Sequence, residues 1–150
     1  MWWKKRPPTS TPWRCSHCGE THENLPTDFG WKLPDDVWAM GEEVRQACLE
    51  WSTDVCFHEG RWFLRGVLEL PFTYTEGRWG WGCWAEVSEE TVGTLWRLKD
   101  ADGSHLPPEP GILACEIPVY TGSKGLPVAV QFGPFEMRPL IRLVDDVNHA

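Results

Sequence analysis

Between residues 78 and 87 the chain reads RWGWGCWAEV. Alternation of this kind marks a strand, with Trp79, Trp81, Cys83, Ala85 and Val87 on one face and Gly80 and Gly82 on the other. Two glycines on one face leave no side chains to pack there, so another element or a ligand is expected to approach the backbone closely. The preceding run, DVCFHEGRWFLRGVLELPF, reads as a β-hairpin. Its first strand covers residues 54–58, its turn lies at Glu59, Gly60 and Arg61, and its second strand runs to Phe72.

Helices are few. Val37, Met40, Val44, Ala47, Cys48 and Trp51 follow helical spacing over residues 35–51, and Gly41 permits a turn followed by a shorter helix from Glu42. Ser88 is a good N-cap, followed by Glu89 and Glu90 where acids favour the helix dipole, and Val92, Leu95 and Trp96 give that second helix an apolar face ending near Lys99. A polar, Pro-rich loop is expected over residues 100–111, then strands over 112–119, 128–132 and 140–144. The fold class is therefore α+β, a largely antiparallel sheet with two short helices and an N-terminal Cys/His knuckle. The length of 150 residues fits one domain. Residues 1–12, with Pro7, Pro8 and Pro12 among Ser and Thr, read as a disordered extension, and residues 13–150 as the domain. Most of the eleven tryptophans are expected in the core.

The formal charge is −8, and residues 1–14 carry Lys4, Lys5, Arg6 and Arg14 without an acid, so the remainder stands at −12. An acidic body repels phosphate backbones, which argues against a nucleic-acid partner and suits a basic protein surface. No stretch is long enough to cross a bilayer, and MWWKKRPPTSTP has no apolar run behind its charges, so neither a membrane span nor a secretory signal is expected. The expected compartment is the reducing cytoplasm, where six cysteines mean metal ligands, buried small hydrophobes or thiols before disulfides.

In CSHCGETHENLP, Cys15-x2-Cys18 is the first half of a tetrahedral zinc site, and Gly19 allows the sharp turn that such a knuckle needs. His22 is near enough to be a third ligand. The fourth must come from elsewhere: Cys56 is the first choice, with His58 and His149 behind it. Asp54, Cys56 and His58 share a face of the expected strand. The competing reading is a C-x2-C that binds nothing. Cys48, Cys83 and Cys115 sit in apolar patterns and read as core.

These motifs resemble a bacterial family catalogued as domain of unknown function 2199. The likeness rests on CSHCGETHENLPTDFG, DVCF, WFLRGVLELP, WGWGCWAEVS, MRPLIRL and the closing NHA, and covers nearly the whole chain from Arg14 onward. The resemblance implies no established activity. Its pattern includes Cys15, Cys18, His22, Asp54, Cys56, Arg65, Gly66, Trp81, Trp84, Arg138 and His149, whereas His58 lies where the family is apolar, which demotes it as a ligand. Two roles compete for Arg65. It is either ion-paired with Asp54 or Glu69, or, with Trp81, Trp84 and Arg138, it meets an anion or a partner beside Gly80 and Gly82.

The chain contains no H-E-x-x-H, no G-x-S-x-G elbow and no Walker or Rossmann fingerprint. The favoured function is a non-enzymatic, protein-binding module with a structural zinc site, in its concrete form an immunity-type antidote to a toxin. The rival is a metal-dependent enzyme with an open zinc position.

Overall fold

The computed structural model describes residues 13–14, 19–22, 28–71, 78–118, 120–134 and 136–144. The extension expected at residues 1–12 lies outside them, as do Cys15, Cys18 and His149.

Among the described residues, nine strands and three helices follow in the order β1 (Trp13–Arg14), β2 (Thr21–His22), β3 (Asp28–Gly30), α1 (Asp35–Trp38), α2 (Glu42–Trp51), β4 (Val55–His58), β5 (Arg61–Pro71), β6 (Arg78–Val87), α3 (Glu89–Leu98), β7 (Glu109–Leu113), β8 (Pro127–Gln131) and β9 (Leu140–Leu143). The class is sheet-rich, with a few short helices. The hairpin of β4 and β5 forms as expected, turning through Glu59 and Gly60, both at positive φ. The expected helix over 35–51 breaks at Gly41, whose φ of 102 lies outside the helical region and separates α1 from α2. At α3 the Ser88 side chain accepts from the Thr91 backbone N–H at 3.2 Å, capping the helix.

Strand pairing departs from a simple series of hairpins. β5 pairs β6, β6 pairs β7, β7 pairs β8, β8 pairs β9, and β9 returns to β5, so five strands close a ring. The closing pair is parallel, joining Val67 to Leu140 and Leu68 to Ile141. β3 lies parallel to β6 with Asp28, Phe29 and Gly30 opposite Gly80, Trp81 and Gly82. Backbone bonds make that pair, so no side-chain pattern announces it.

β7 starts two residues before the end of the expected loop and stops at Leu113 instead of running to Val119. Pro110 is tolerated because β6 pairs only with Ile112 and Leu113, which leaves one edge of the strand open at the proline. Beyond the strand, the Glu116 carboxylate accepts from the backbone N–H groups of Gly122, Ser123 and Lys124, and these bonds hold it below the usual carboxylate range.

The core draws Phe63, Leu64 and Leu68 from β5, Cys83, Trp84 and Ala85 from β6, and Leu113, Val128, Val130 and Ile141 from the remaining ring strands. A ring of five strands has little interior for indoles. Among the described tryptophan side chains only Trp84 is fully buried, while Trp31, Trp62 and Trp81 pack partly against the core and Trp38, Trp51 and Trp96 are exposed. Among the described tryptophans the expected core placement thus holds fully for Trp84, in part for Trp31, Trp62 and Trp81, and fails for Trp38, Trp51 and Trp96. Outside the ring, Arg61 donates through Nε and Nη2 to both oxygens of Glu86, at 2.9 and 2.8 Å, and through Nη2 to Asp36 at 3.0 Å. Lys124 joins Asp36 from the far side, so the network ties α1 to the sheet. No described helix is long and apolar enough to cross a membrane.

Gly66 marks the point of ring closure. A Cβ there would lie 2.7 Å from both Ile141 Cγ1 and the Pro139 carbonyl oxygen, inside van der Waals contact with backbone that cannot yield. Gly66→Ala is expected to cost about 1–3 kcal/mol through this overpacking, read as a lowered midpoint in urea unfolding. An unchanged midpoint would mean that β9 does not press against β5 at this residue.

Candidate functional site

The register of β5 and β6 sets Arg65 opposite Trp84, Val67 opposite Gly82, and Glu69 opposite Gly80. These six residues share one face of the hairpin, because directly opposed residues point to the same side. The missing side chains at Gly80 and Gly82 hollow that face out. Gly30 of β3 borders the same hollow, which answers the expectation of a close approach at the two glycines. On the other flank, the chain entering β9 brings Met137, Arg138 and Pro139 alongside, and Val67 N–H donates to the Pro139 carbonyl at 2.9 Å. The result is a cleft of about 660 Å³ that holds Arg65, Arg138, Asp54, Glu69 and Glu136 together with the apolar Leu95, Met137 and Leu140.

Of the two roles expected for Arg65, pairing with Asp54 or Glu69 does not form. Asp54 accepts instead from Arg138 Nε at 3.0 Å. Arg65 Nη1 reaches only the Thr53 carbonyl at 3.4 Å, its Nε is buried with no acceptor, and its guanidinium stands 5.9 Å above the Trp84 ring. Burial holds the Arg65 pKa down, the Arg138 charge adds to this, and Asp54 opposes it. The Arg65 guanidinium is thus half-buried, with a second guanidinium beside it and no carboxylate in ion-pair contact among the described residues.

Trp84 is fully buried and donates its indole N–H to the Trp31 carbonyl at 3.0 Å, so it supports Arg65 from beneath and lies away from the surface. Trp81 stacks obliquely against Trp31 with ring centres 5.7 Å apart. Of the four residues that sequence reasoning singled out together, Arg65 and Arg138 line the cleft and Trp84 lies beneath Arg65, whereas Trp81 belongs to the opposite face of β6.

The metal residues are only partly within view. Cys15 and Cys18 lie outside the described residues, and of His22 only the backbone is described. β1 and β2 pair antiparallel, Trp13 with His22 and Arg14 with Thr21, and Gly19 takes a φ of 74. Cys56 is completely buried on β4. Burial pushes its thiol up to about 12, and the neighbouring Cys48 of α2 adds to the shift. His58, the reserve ligand, is half-buried within 3.7 Å of the Glu59 carboxylate. Asp54 does not share the strand face of Cys56 and His58, since it precedes β4 and turns to Arg138. Among the described residues no group of three or more His, Cys, Asp and Glu side chains is placed to hold a metal.

A second feature was missed from sequence. Phe57 sits opposite Trp62 on the hairpin with ring centres 4.4 Å apart. Trp51 of α2 approaches Trp62 at 6.3 Å, and Trp96 of α3 meets it edge-on at 5.8 Å. Trp51, Phe57 and Trp96 remain 53%, 42% and 50% exposed. Helical spacing put Trp51 and Trp96 on apolar faces, but those faces meet at the sheet's rim rather than in its core.

A family model described as "Uncharacterized protein conserved in bacteria (DUF2199)" matches residues 14–150. The chain belongs to this family. No curated protein and no solved structure matches it. The DUF2199 match spans the Cys15-x2-Cys18 sequence, the arginine cleft and the aromatic cluster, and begins after the proline-rich start of the chain.

Proposed function

We propose that the protein is a non-enzymatic binding module that engages a basic surface of another protein through the aromatic cluster around Trp62. One observation carries this reading: three large rings, each about half exposed, meet on one side of the β4–β5 hairpin. Single exposed aromatics are ordinary on soluble proteins, whereas a contiguous cluster rimmed by polar groups is a contact surface. The flanking helices bear Glu42, Glu43 and Glu50 on α2 and Glu89 and Glu90 on α3. Of their two arginines, Arg45 is engaged by the Trp38 carbonyl and ring and by Glu42. Acids around exposed indoles suit Lys and Arg side chains, which gain from both the charge and the ring faces. In a bacterial host the concrete form is an immunity-type antidote that covers a toxin domain.

In this reading Cys15, Cys18 and His22 hold a structural zinc with Cys56 as fourth ligand, and the Cys-x2-Cys spacing supports it. The proposed compartment is the reducing cytoplasm. It is supported by the free state of the four described cysteines, Cys48, Cys56, Cys83 and Cys115.

Affinity capture from the native host with the whole chain, and with Trp51→Ala and Trp96→Ala together, tests the surface. A stoichiometric basic partner recovered by the parent and lost with the double variant is expected, and no stoichiometric partner would contradict the proposal. Elemental analysis of protein purified without a histidine tag tests the metal. About one zinc per chain, with three thiols protected from titration, is expected for a site of this ligand set. Metal-free protein with every thiol reactive under denaturing conditions would remove zinc from the account.

A further inference from the structure

We infer that the cleft beneath Arg65 is a binding site for a carboxylate attached to an apolar body. This inference stands apart from the aromatic surface, which lies around Trp62 and shares no residue with it.

Charge comes first. Arg61 and Arg65 are two positions apart on β5, yet Arg61 has two carboxylates in contact and Arg65 has none among the described residues. The one hydrogen bond of its guanidinium among the described residues, to the Thr53 carbonyl at 3.4 Å, is at the weak end of the range. Asp54, the nearest candidate, is held by Arg138. Two cations facing one hollow repel each other, and an anion placed between them relieves that repulsion and supplies acceptors to both forks.

Shape and residual charge then choose the anion. The volume of about 660 Å³ suits a small organic molecule or the end of a peptide. Leu95, Met137 and Leu140 give it an apolar side, and Gly30 leaves room for a ligand to approach Arg65, whose Nη2 lies only 3.3 Å from where a Cβ at residue 30 would stand. Asp54, Glu69 and Glu136 also border the cleft and oppose negative charge. A single carboxylate matches the one uncompensated guanidinium, whereas a doubly charged phosphate meets more repulsion than one arginine offsets. The carboxylate can belong to a free organic acid or to a peptide terminus.

The test is a titration of the ¹⁵N-labelled whole chain, following the Trp84 indole N–H, with 4-phenylbutyrate, with its neutral analogue 4-phenylbutanamide, and with inorganic phosphate. Saturable shifts with the carboxylate alone are expected. Arg65→Gln should weaken binding by about tenfold or more, the scale of a lost charge-assisted hydrogen bond. Asp54→Asn should tighten it several-fold by releasing Arg138, a gain that a merely damaged fold would not give. The peptide Ala-Ala-Phe with a free C-terminus, compared with its amidated form, distinguishes the two sources. Tighter binding of the free peptide than of 4-phenylbutyrate assigns the site to chain termini, and the reverse assigns it to small acids. Equal binding of the amide, stronger binding of phosphate, or no saturable shift with either carboxylate would overturn the inference.

Discussion

Closure of the strand ring over Gly66 is the constraint from which the rest of the structure follows. With no side chain at this residue, Ile141 and the Pro139 carbonyl settle directly against β5, and the parallel pair Val67–Leu140 and Leu68–Ile141 forms. The same approach fixes the three residues ahead of β9. Met137, Arg138 and Pro139 are carried to the hairpin face that holds Arg65, and Arg138 comes within reach of Asp54, 84 positions earlier. Fold and cleft are thus one geometric event.

The two arginines of β5 show how one strand carries one paired and one uncompensated charge. Arg61 is bound bidentately to Glu86 and also to Asp36, and these bonds raise its pKa and lower that of Glu86, while Lys124 first and Arg61 after it lower that of Asp36. Its contribution is stability, tempered by solvent because these side chains are each about a third or more exposed. Arg65 sits deeper, over the Trp84 ring, with one long bond to a carbonyl. Placing a guanidinium there without a carboxylate costs desolvation that no ion pair among the described residues offsets.

Much of the local structure was legible from residue order because it depends on near neighbours. Gly41 ends a helix wherever φ turns positive, Ser88 caps the next one, and the hairpin turn at Glu59 and Gly60 follows from its own two residues. Long-range pairing was not legible. β3 joins β6 through backbone groups opposite glycines, and the β5–β9 closure depends on how tightly two distant segments fit at Gly66. The same division holds at the site. Arg65, Trp81, Trp84 and Arg138 could be singled out as residues, but the choice of Asp54 for Arg138 over Arg65 is made by the ring. The tryptophans show the limit of reading burial from residue type. Helical spacing gave Trp51 and Trp96 apolar faces, and the small ring interior left both rings half exposed.

The central claim is that the protein does not balance the charge of Arg65 internally, and urea unfolding of the ligand-free Arg65→Met chain tests it most directly. Methionine keeps an unbranched chain over the Trp84 ring and removes the charge. Replacing an uncompensated buried charge with an apolar group of similar length should leave the free protein as stable or more stable, by up to about 1 kcal/mol. A fall in stability of about 2 kcal/mol or more, the size associated with breaking a buried ion pair or its hydrogen bonds, would show that Arg65 is a structural group and would contradict the account.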